Sequence, residues 1–319
     1  DRGATFFTAD NPPFGAVFTY YLEEALEGRA KRRAAAEKKA IEAGETLKIP
    51  SFEELRAEDE EIAPAIVLTV RTADGEIVRR LPGATGKGIH RVNWDLHWPS
   101  PRPTALEKAE RDPWEREPVG PLAAPGTYTV TLSKVVDGVS TDLAGPQSFA
   151  VVDLGLNTFA SDDPAATLAF QREVAELERA LRGALKWADE AGERLKLTRK
   201  ALYDTPGADA ALFAESQRLQ TALADILVEL RGDQTKENRN VFIPPSISER
   251  VNRIAGSQWD STAAPTRTNR DDARWAAEAF ERELARLTSF AAELESFESR
   301  LESAGAPWTP GRLPEWRRE

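Results

Sequence analysis

The sequence contains no cysteine and no methionine, and it has only two histidines among 319 residues. The absence of cysteine excludes disulfide bonds, a thiolate nucleophile and any metal site built on cysteine. It leaves the compartment open, since exported bacterial proteins and cytosolic proteins both tolerate it. Because residue 1 is not a methionine and no signal peptide is visible, we expect the chain to be a fragment of a longer protein.

Long apolar runs and an excess of basic residues are also missing. No run approaches the roughly 20 apolar residues of a membrane helix, so we predict no membrane span. A net charge of −11 and a pI near 5.0 argue against nucleic acid as a partner, because a binding face must neutralise phosphates. The basic cluster at 28–39 lies among glutamates and is typical of a solvated helix face.

Motifs of the common enzyme classes are absent as well. The chain has no GxSxG, no P-loop, no GxGxxG after a strand and no HExxH. With 53 aspartates and glutamates, some carboxylate pair would fit any glycosidase spacing, so that count decides nothing. We therefore predict no catalytic residue, no metal site and no cofactor in this chain.

The first half reads as β-structure. Asp74-Gly75 and Asp137-Gly138 each lie between β-rich runs, which is a strong hairpin signal. In TYTVTL (127–132) apolar and threonine residues alternate, as in a half-buried antiparallel strand. Several short strands separated by turn signals predict an Ig-like β-sandwich over residues 1–153. The strand-like runs are 14–22, 65–81, 88–96, 125–143 and 147–154.

One stretch interrupts this β pattern. Residues 23–62 are rich in Glu, Ala, Lys and Arg with little apolar periodicity, which predicts a helical insertion that lies over a sheet or projects from it. Ser51 and Glu54 have the spacing of a helix N-cap and its capping-box partner.

The second half changes to a helical period. From Phe170 the apolar positions alternate steps of four and three over roughly 40 residues, a coiled-coil-like heptad pattern. Two further amphipathic helices predict an antiparallel three-helix bundle over 154–305. The long connection 233–269 is predicted to include a short helix from Ser246, capped by Glu249, and RGD at 231–233 is interpreted as a helix end. The heptad positions are Phe170, Val174, Leu177, Leu181, Ala184, Ala188, Ala191, Leu195, Thr198 and Leu202.

The tail 306–319 is rich in proline and tryptophan. Since it lacks any helical or strand period, we expect it to be ordered by docking the indoles of Trp308 and Trp316 onto a neighbouring surface.

Taken together, these motifs resemble a known group of proteins. The order of the runs around 66–81, 88–96 and 125–132 is similar to the Ig-like module of the flagellar-hook capping protein. With TADNPPFGAVFTYYL in front and GAPWTPGRLPEW at the end, nearly the whole chain resembles the C-terminal region of bacterial sortilin-like, BNR-repeat propeller proteins, which are often labelled glycosyl hydrolases. The resemblance implies an exported protein with a β-propeller before residue 1, and it places any glycosidase chemistry in that propeller.

The segment GKGIHRVNWDLHWPSP (86–101) holds both histidines and is the best candidate for a site. On a strand, His90 and His97 fall on opposite faces, so they do not form a metal site together. Trp94 is interpreted as a core residue. Trp98 and Trp114 flank a proline-rich loop, and they are our candidate ligand-binding residues for a sugar if their rings are exposed.

Two functions remain open from the sequence. The first is a non-catalytic assembly or interaction module of a larger exported propeller protein, with possible homo-oligomerisation through the helical bundle. That interpretation depends on the small residues Ala184, Ala188 and Ala191, and on a first helix long enough to need cover from 233–269 or from a second chain. The alternative is a carbohydrate-binding accessory module of a propeller-type glycosyl hydrolase, with a glycan as ligand.

Overall fold

The computed structural model describes residues 11–106, 112, 117–314, 316 and 318. The chain forms two compact units, Asp1–Pro99 with Leu122–Leu156, and Ser100–Pro121 with Asn157–Glu319. In its described part the chain has two antiparallel sheets and seven helices, so it is a protein of mixed α and β structure. The division at residue 153 into separately folding domains stays a prediction.

The first unit, here called the β unit, carries the six strands of the described residues. β1 pairs antiparallel with β4 in a two-stranded sheet, and the other four strands form a sheet in the order β3-β2-β5-β6. The strands are β1 (Ala16–Leu22), β2 (Ala65–Thr72), β3 (Ile77–Gly83), β4 (Gly88–Trp94), β5 (Gly126–Val136) and β6 (Val139–Val151).

Both predicted hairpins are confirmed. β5 and β6 pair up to Val136 opposite Val139, which leaves Asp137 and Gly138 as a two-residue turn with φ angles of 50° and 77°. Two consecutive positive φ values match the type I′ turn, whose twist suits a hairpin and which favours Asp-Gly. Asp74-Gly75 lies in the turn between β2 and β3, where Gly75 has a φ of 87°.

An aromatic cluster of Phe18, Trp94, Tyr128 and Phe149 joins the two sheets. The ring centroid of Trp94 lies 5.4 Å from that of Tyr128 and 6.1 Å from that of Phe149, and Phe18 lies 5.2 Å from Phe149. Trp94 is completely buried, and its indole N–H donates to the carbonyl of His97 at 3.1 Å. The prediction that Trp94 is a core residue is confirmed.

Gly15 allows β1 to start directly against the end of β4. It has a φ of 121°, and a Cβ at this position would lie 1.9 Å from the carbonyl oxygen of Trp94. A side chain is therefore excluded on two grounds, backbone conformation and space.

The insertion between β1 and β2 contains two helices, α1 (Arg29–Ala43) and α2 (Phe52–Asp59). The predicted capping box of α2 is confirmed, since the Ser51 hydroxyl accepts from the Glu54 N–H and the Glu54 carboxylate accepts from the Ser51 N–H. Neither helix has a buried residue. The predicted helical stretch 23–62 is therefore helical only in part, with an irregular segment at 44–51.

The second unit, here called the α unit, contains five helices in the described residues. The long first helix begins at a capping aspartate, because the Asp163 side chain accepts from the Ala166 N–H and Pro164 occupies the first turn. The Ser246–Glu249 capping box is also confirmed. The helices are α3 (Pro164–Tyr203), α4 (Ala210–Arg231), α5 (Gln234–Glu237), α6 (Ile247–Gln258) and α7 (Arg267–Ser303).

The heptad positions of α3 form one continuous buried stripe. Every predicted position from Phe170 to Leu202 is buried except Leu177, which packs against the core while partly exposed. Side chains of α4, α6 and α7 belong to the same core cluster, among them Leu219, Ile254 and Phe297. The stripe of α3 is thus covered along its whole length by this chain's own helices.

The inner face of α7 includes an acidic residue and leaves out a neighbouring leucine. Leu284 is exposed, whereas its neighbour Glu283 is buried. Glu283 lies between the buried residues Phe280 and Leu287 on the inner face of the helix. Its carboxylate accepts from Arg286 at 2.8 Å, which gives the acidic side chain a charged partner at the edge of the core.

A buried ion pair joins α3 to α7. The Arg194 guanidinium donates to both carboxylate oxygens of Glu298, at 3.1 and 2.5 Å, and Glu298 is only 2% exposed. A buried carboxylate is costly without a partner, so this two-point contact is the condition under which Glu298 can lie in the core.

Replacing Trp94 by alanine should destabilise the β unit by about 3–5 kcal/mol, the usual cost of truncating a large aromatic side chain in a core. Amide hydrogen exchange of β5 measures this loss. Ile89→Ala, on the same strand but exposed, is the control, and it should change the unfolding free energy by less than about 0.5 kcal/mol. Equal effects of the two substitutions would show that the aromatic cluster does not stabilise the unit.

Replacing Arg194 by alanine should destabilise the α unit by about 2–3 kcal/mol, less than the ~3–5 kcal/mol of a fully buried pair because Arg194 is partly exposed. Urea unfolding followed by circular dichroism measures the change. Arg179→Ala on the same helix breaks an exposed pair with Glu176 and should cost at most about 1 kcal/mol. A larger effect at Arg179 would contradict the assignment.

Candidate functional site

The two histidines bind backbone carbonyls close to them in the chain. The His90 ring nitrogen Nε2 lies 2.7 Å from the Gly86 carbonyl, and the His97 ring nitrogen Nδ1 lies 2.8 Å from the Asp95 carbonyl. β4 ends at Trp94, and Leu96 has a φ of 61°, so the predicted strand geometry stops before His97. The segment 86–101 therefore contributes structural contacts at both histidines.

The structure describes one of the two candidate ligand-binding tryptophans, Trp98, and this side chain is buried. Trp98 is 9% exposed, and its carbonyl accepts from the Arg79 guanidinium at 3.0 Å. Its ring is largely covered, whereas a sugar-stacking platform needs an open ring face. Trp114 lies outside the described residues. A sugar site formed by Trp98 and Trp114 thus stays a prediction.

The tail contacts α7 through an arginine. Trp308 is 58% exposed and Trp316 is 81% exposed, and the docking of these indoles stays a prediction. Arg312 donates to the carbonyls of Glu298 and Pro307 and pairs with the Glu302 carboxylate. A guanidinium has five donors, so this one side chain can bind oxygens of α7 and of the tail at the same time.

One group of exposed apolar side chains lies in the helical insertion. Ile49 and Phe52 are each 88% exposed, and Ile41 and Leu47 are also exposed. We call these four residues, which lie within twelve positions of one another at the junction of α1 and α2, the apolar junction. Burying side chains of this size stabilises by about 1.5–3 kcal/mol each, so the chain alone leaves this stabilisation unused.

Polar contacts hold the insertion to the rest of the β unit. The Arg29 guanidinium lies 2.8 Å from the Asp137 carboxylate in the β5–β6 turn, and the Arg29 N–H donates to Glu61 at 2.7 Å. Arg33 on α1 donates two hydrogen bonds, at 2.7 and 2.8 Å, to the Glu58 carboxylate on α2. The helices are therefore fixed by charge and not by a core of their own.

A cleft of about 570 Å³ lies between α1, α2 and the segment that connects them. Its lining combines charged side chains of both signs with small apolar ones, and Leu47 of the apolar junction is among them. The principal charged residues of the lining are Arg29, Arg33, Glu37, Lys48, Glu54 and Glu58.

The carboxylates of α2 are stabilised in their charged form. The backbone N–H of Ser51, followed by the Lys48 ammonium, holds the pKa of Glu54 below its ordinary value. The hydrogen bonds from Arg33 do the same for the pKa of Glu58. Reciprocally, Glu58 and then Glu37 raise the pKa of Arg33. These carboxylates therefore favour the folded insertion when they are ionised.

Sequence reasoning located the insertion but missed its apolar junction. The apolar residues at 41, 47, 49 and 52 have neither a helical nor a strand period, so no pattern marks them as one surface. The connection at 44–51 begins at Gly44, which ends α1 with a φ of 70°, and it contains Pro50, so the sequence marks the break between the helices but not which side chains are exposed.

The α1–α2 contact should weaken in acid. Because the folded pKa of Glu58 and Glu54 is lowered, the stabilisation is complete above their ordinary pKa of about 4.5 and is lost as the pH falls below it. Backbone ¹³C chemical shifts of residues 29–59 should show a loss of helix between pH 7 and about pH 3. Glu58→Gln should lower the helix content already at pH 7.

Glu42→Gln, an exposed position on α1, is the matched control and should behave like the original chain. Equal pH profiles for the original chain, Glu58→Gln and Glu42→Gln would refute the role of the Arg33–Glu58 contact.

Within the described residues, no group of three or more His, Asp or Glu side chains could hold a metal ion. None of the helices in the described ranges combines the length and apolarity that crossing a membrane requires. In comparisons with known proteins, no family model, no curated protein and no solved structure matches this chain.

Proposed function

We propose that this chain is a non-catalytic assembly module, which associates through the apolar junction of its helical insertion. In this proposal Ile41, Leu47, Ile49 and Phe52 enter an apolar surface of another protein chain, in the simplest case a second copy. The module belongs to a larger exported protein that carries a β-propeller, as the sequence resemblance implies.

One observation carries the proposal: two helices without a buried residue present large apolar side chains to solvent. A helix that contributes nothing to a core is not needed for the stability of its own unit. Apolar side chains grouped on such an element are typical of a surface that is buried on association.

The helical bundle is not the surface on which this proposal relies. Ala184, Ala188 and Ala191 are buried against this chain's own helices, and α6 in the connection 233–269 contributes Ile247, Val251 and Ile254 to the same core. The sequence left open whether 233–269 or a second chain covers the long first helix. In the described residues the apolar stripe of α3 packs against helices of this chain. We therefore place the proposed contact on the insertion.

The finer description of the fold is part of the same proposal. We interpret the two sheets, joined by the aromatic cluster, as an Ig-like β-sandwich, and we interpret α3, α4 and α7 as an antiparallel three-helix bundle. The antiparallel pairing of every strand and the shared core of the helices support this interpretation. In this interpretation the sheets of the β unit present the insertion in a defined position.

Sedimentation velocity over an about hundredfold range of concentration tests the proposal, because mass action makes association depend on concentration. The original chain should associate, and the double variant Ile49→Asp with Phe52→Asp should remain a monomer with an unchanged circular dichroism spectrum. Both side chains are fully solvated, so the variant does not disturb a core.

The matched control is Val152→Asp with Leu154→Asp, an exposed apolar pair elsewhere in the β unit. It should associate like the original chain. Association that survives in the Ile49/Phe52 variant would refute the proposed surface. A strict monomer that binds a glycan and loses it on Trp98→Ala or Trp114→Ala would favour the carbohydrate-binding alternative.

A further inference from the structure

β1 has an unprotected edge. Among the described residues it pairs only with β4, so the backbone groups along its other edge have no strand partner there. Its seven residues, AVFTYYL, contain no charge, no proline and no glycine. An open edge of this kind is a template for a further strand.

The outer strands of the four-stranded sheet are different. β3 contains Pro82, and β6 contains Pro146, which removes a backbone donor from each strand. The pairing of β5 with β6 also shifts register between Val130 and Ser133. Prolines and bulges are the usual devices that prevent pairing at a sheet edge. Since β1 has none of them, it is better suited to accept a strand than β3 or β6.

A cleft of about 380 Å³ lies beside this edge. Five consecutive residues of β1, Ala16–Tyr20, line one wall, so the wall includes backbone as well as side chains. The remaining lining comes from β2, β5 and β6. It contains no Asp, Glu, Lys or Arg, and its apolar members are Leu68, Val130, Leu132, Ala144 and Phe149.

We propose that this cleft binds an extended, uncharged peptide segment of a partner protein, which adds to β1 as a third strand of the two-stranded sheet. The open backbone edge selects an extended peptide, because only a strand can satisfy alternating N–H and C=O groups along five residues. The lining selects the side chains: every second residue of the peptide faces the cleft and must be apolar, since a charge would lose its hydration there.

This surface is distinct from the apolar junction of the insertion. The edge of β1 binds the backbone of a peptide, whereas the apolar junction offers only side chains to a partner. The two can therefore be tested separately, and neither proposal depends on the other.

The probe is a blocked seven-residue peptide in which threonine and valine alternate between two terminal lysines. Titration calorimetry with the whole chain should detect binding at peptide concentrations up to about 1 mM. On binding, amide exchange along Ala16–Tyr20 should slow. A peptide with aspartate in place of valine, or one methylated at alternate backbone nitrogens, should bind at least about tenfold more weakly.

Ala144→Arg tests the cleft from the protein side. Ala144 is exposed and lines the cleft, so arginine fills it without disturbing a core, and affinity should fall at least about tenfold. Ala150→Arg is the matched control, since Ala150 is exposed on the same strand and does not line the cleft. It should bind the peptide like the original chain.

Each other outcome overturns the proposal in a recognisable way. No binding of the valine peptide, or equal binding by both arginine variants, removes the cleft as a peptide site. A concentration-dependent dimer that only Ala144→Arg abolishes identifies a second copy as the occupant. Edge amides of β1 that are protected without peptide, and lose protection on deletion of residues 1–10, identify this chain's own segment instead.

Discussion

The β unit depends on the contact between Trp94 and the rings of Tyr128 and Phe149. A two-stranded sheet is only marginally stable in water by itself, so β1 and β4 need an apolar surface on which to pack. Phe18 and Trp94 provide that contact with β5 and β6. Two strands are narrower than the four-stranded sheet that they contact, and the cleft beside β1 is the part that they leave uncovered.

The α unit meets the same requirement with its own helices. A stripe of apolar residues runs along the whole of α3, and α4, α6 and α7 cover it from within the chain. Charged groups enter this core only with partners, as Glu298 does with Arg194. The small residues at 184, 188 and 191 allow close approach of these neighbouring helices, which is why they no longer indicate a surface for a second chain.

The insertion is held in place by polar contacts instead of a core of its own. Its helices are held by Arg29 and Arg33 and by the Ser51 capping box, all of which leave its apolar side chains free to contact a partner. Polar anchoring is directional and fixes the position of the helices, but it buries little surface. Together with the edge of β1, which pairs only with β4 among the described residues, this gives the β unit the two surfaces that we propose for recognition.

Local features of the sequence determined much of the secondary structure. The hairpin at Asp137-Gly138, the caps at Ser51, Asp163 and Ser246, and the heptads of α3 depend on interactions between residues close in the chain, so their patterns are readable. Only the tertiary structure shows that α1 and α2 have no buried residue, that Trp98 is covered while Trp308 is exposed, and that β1 pairs only with β4 among the described residues. These depend on which distant surfaces meet, and a side chain's environment is set by its neighbours in space.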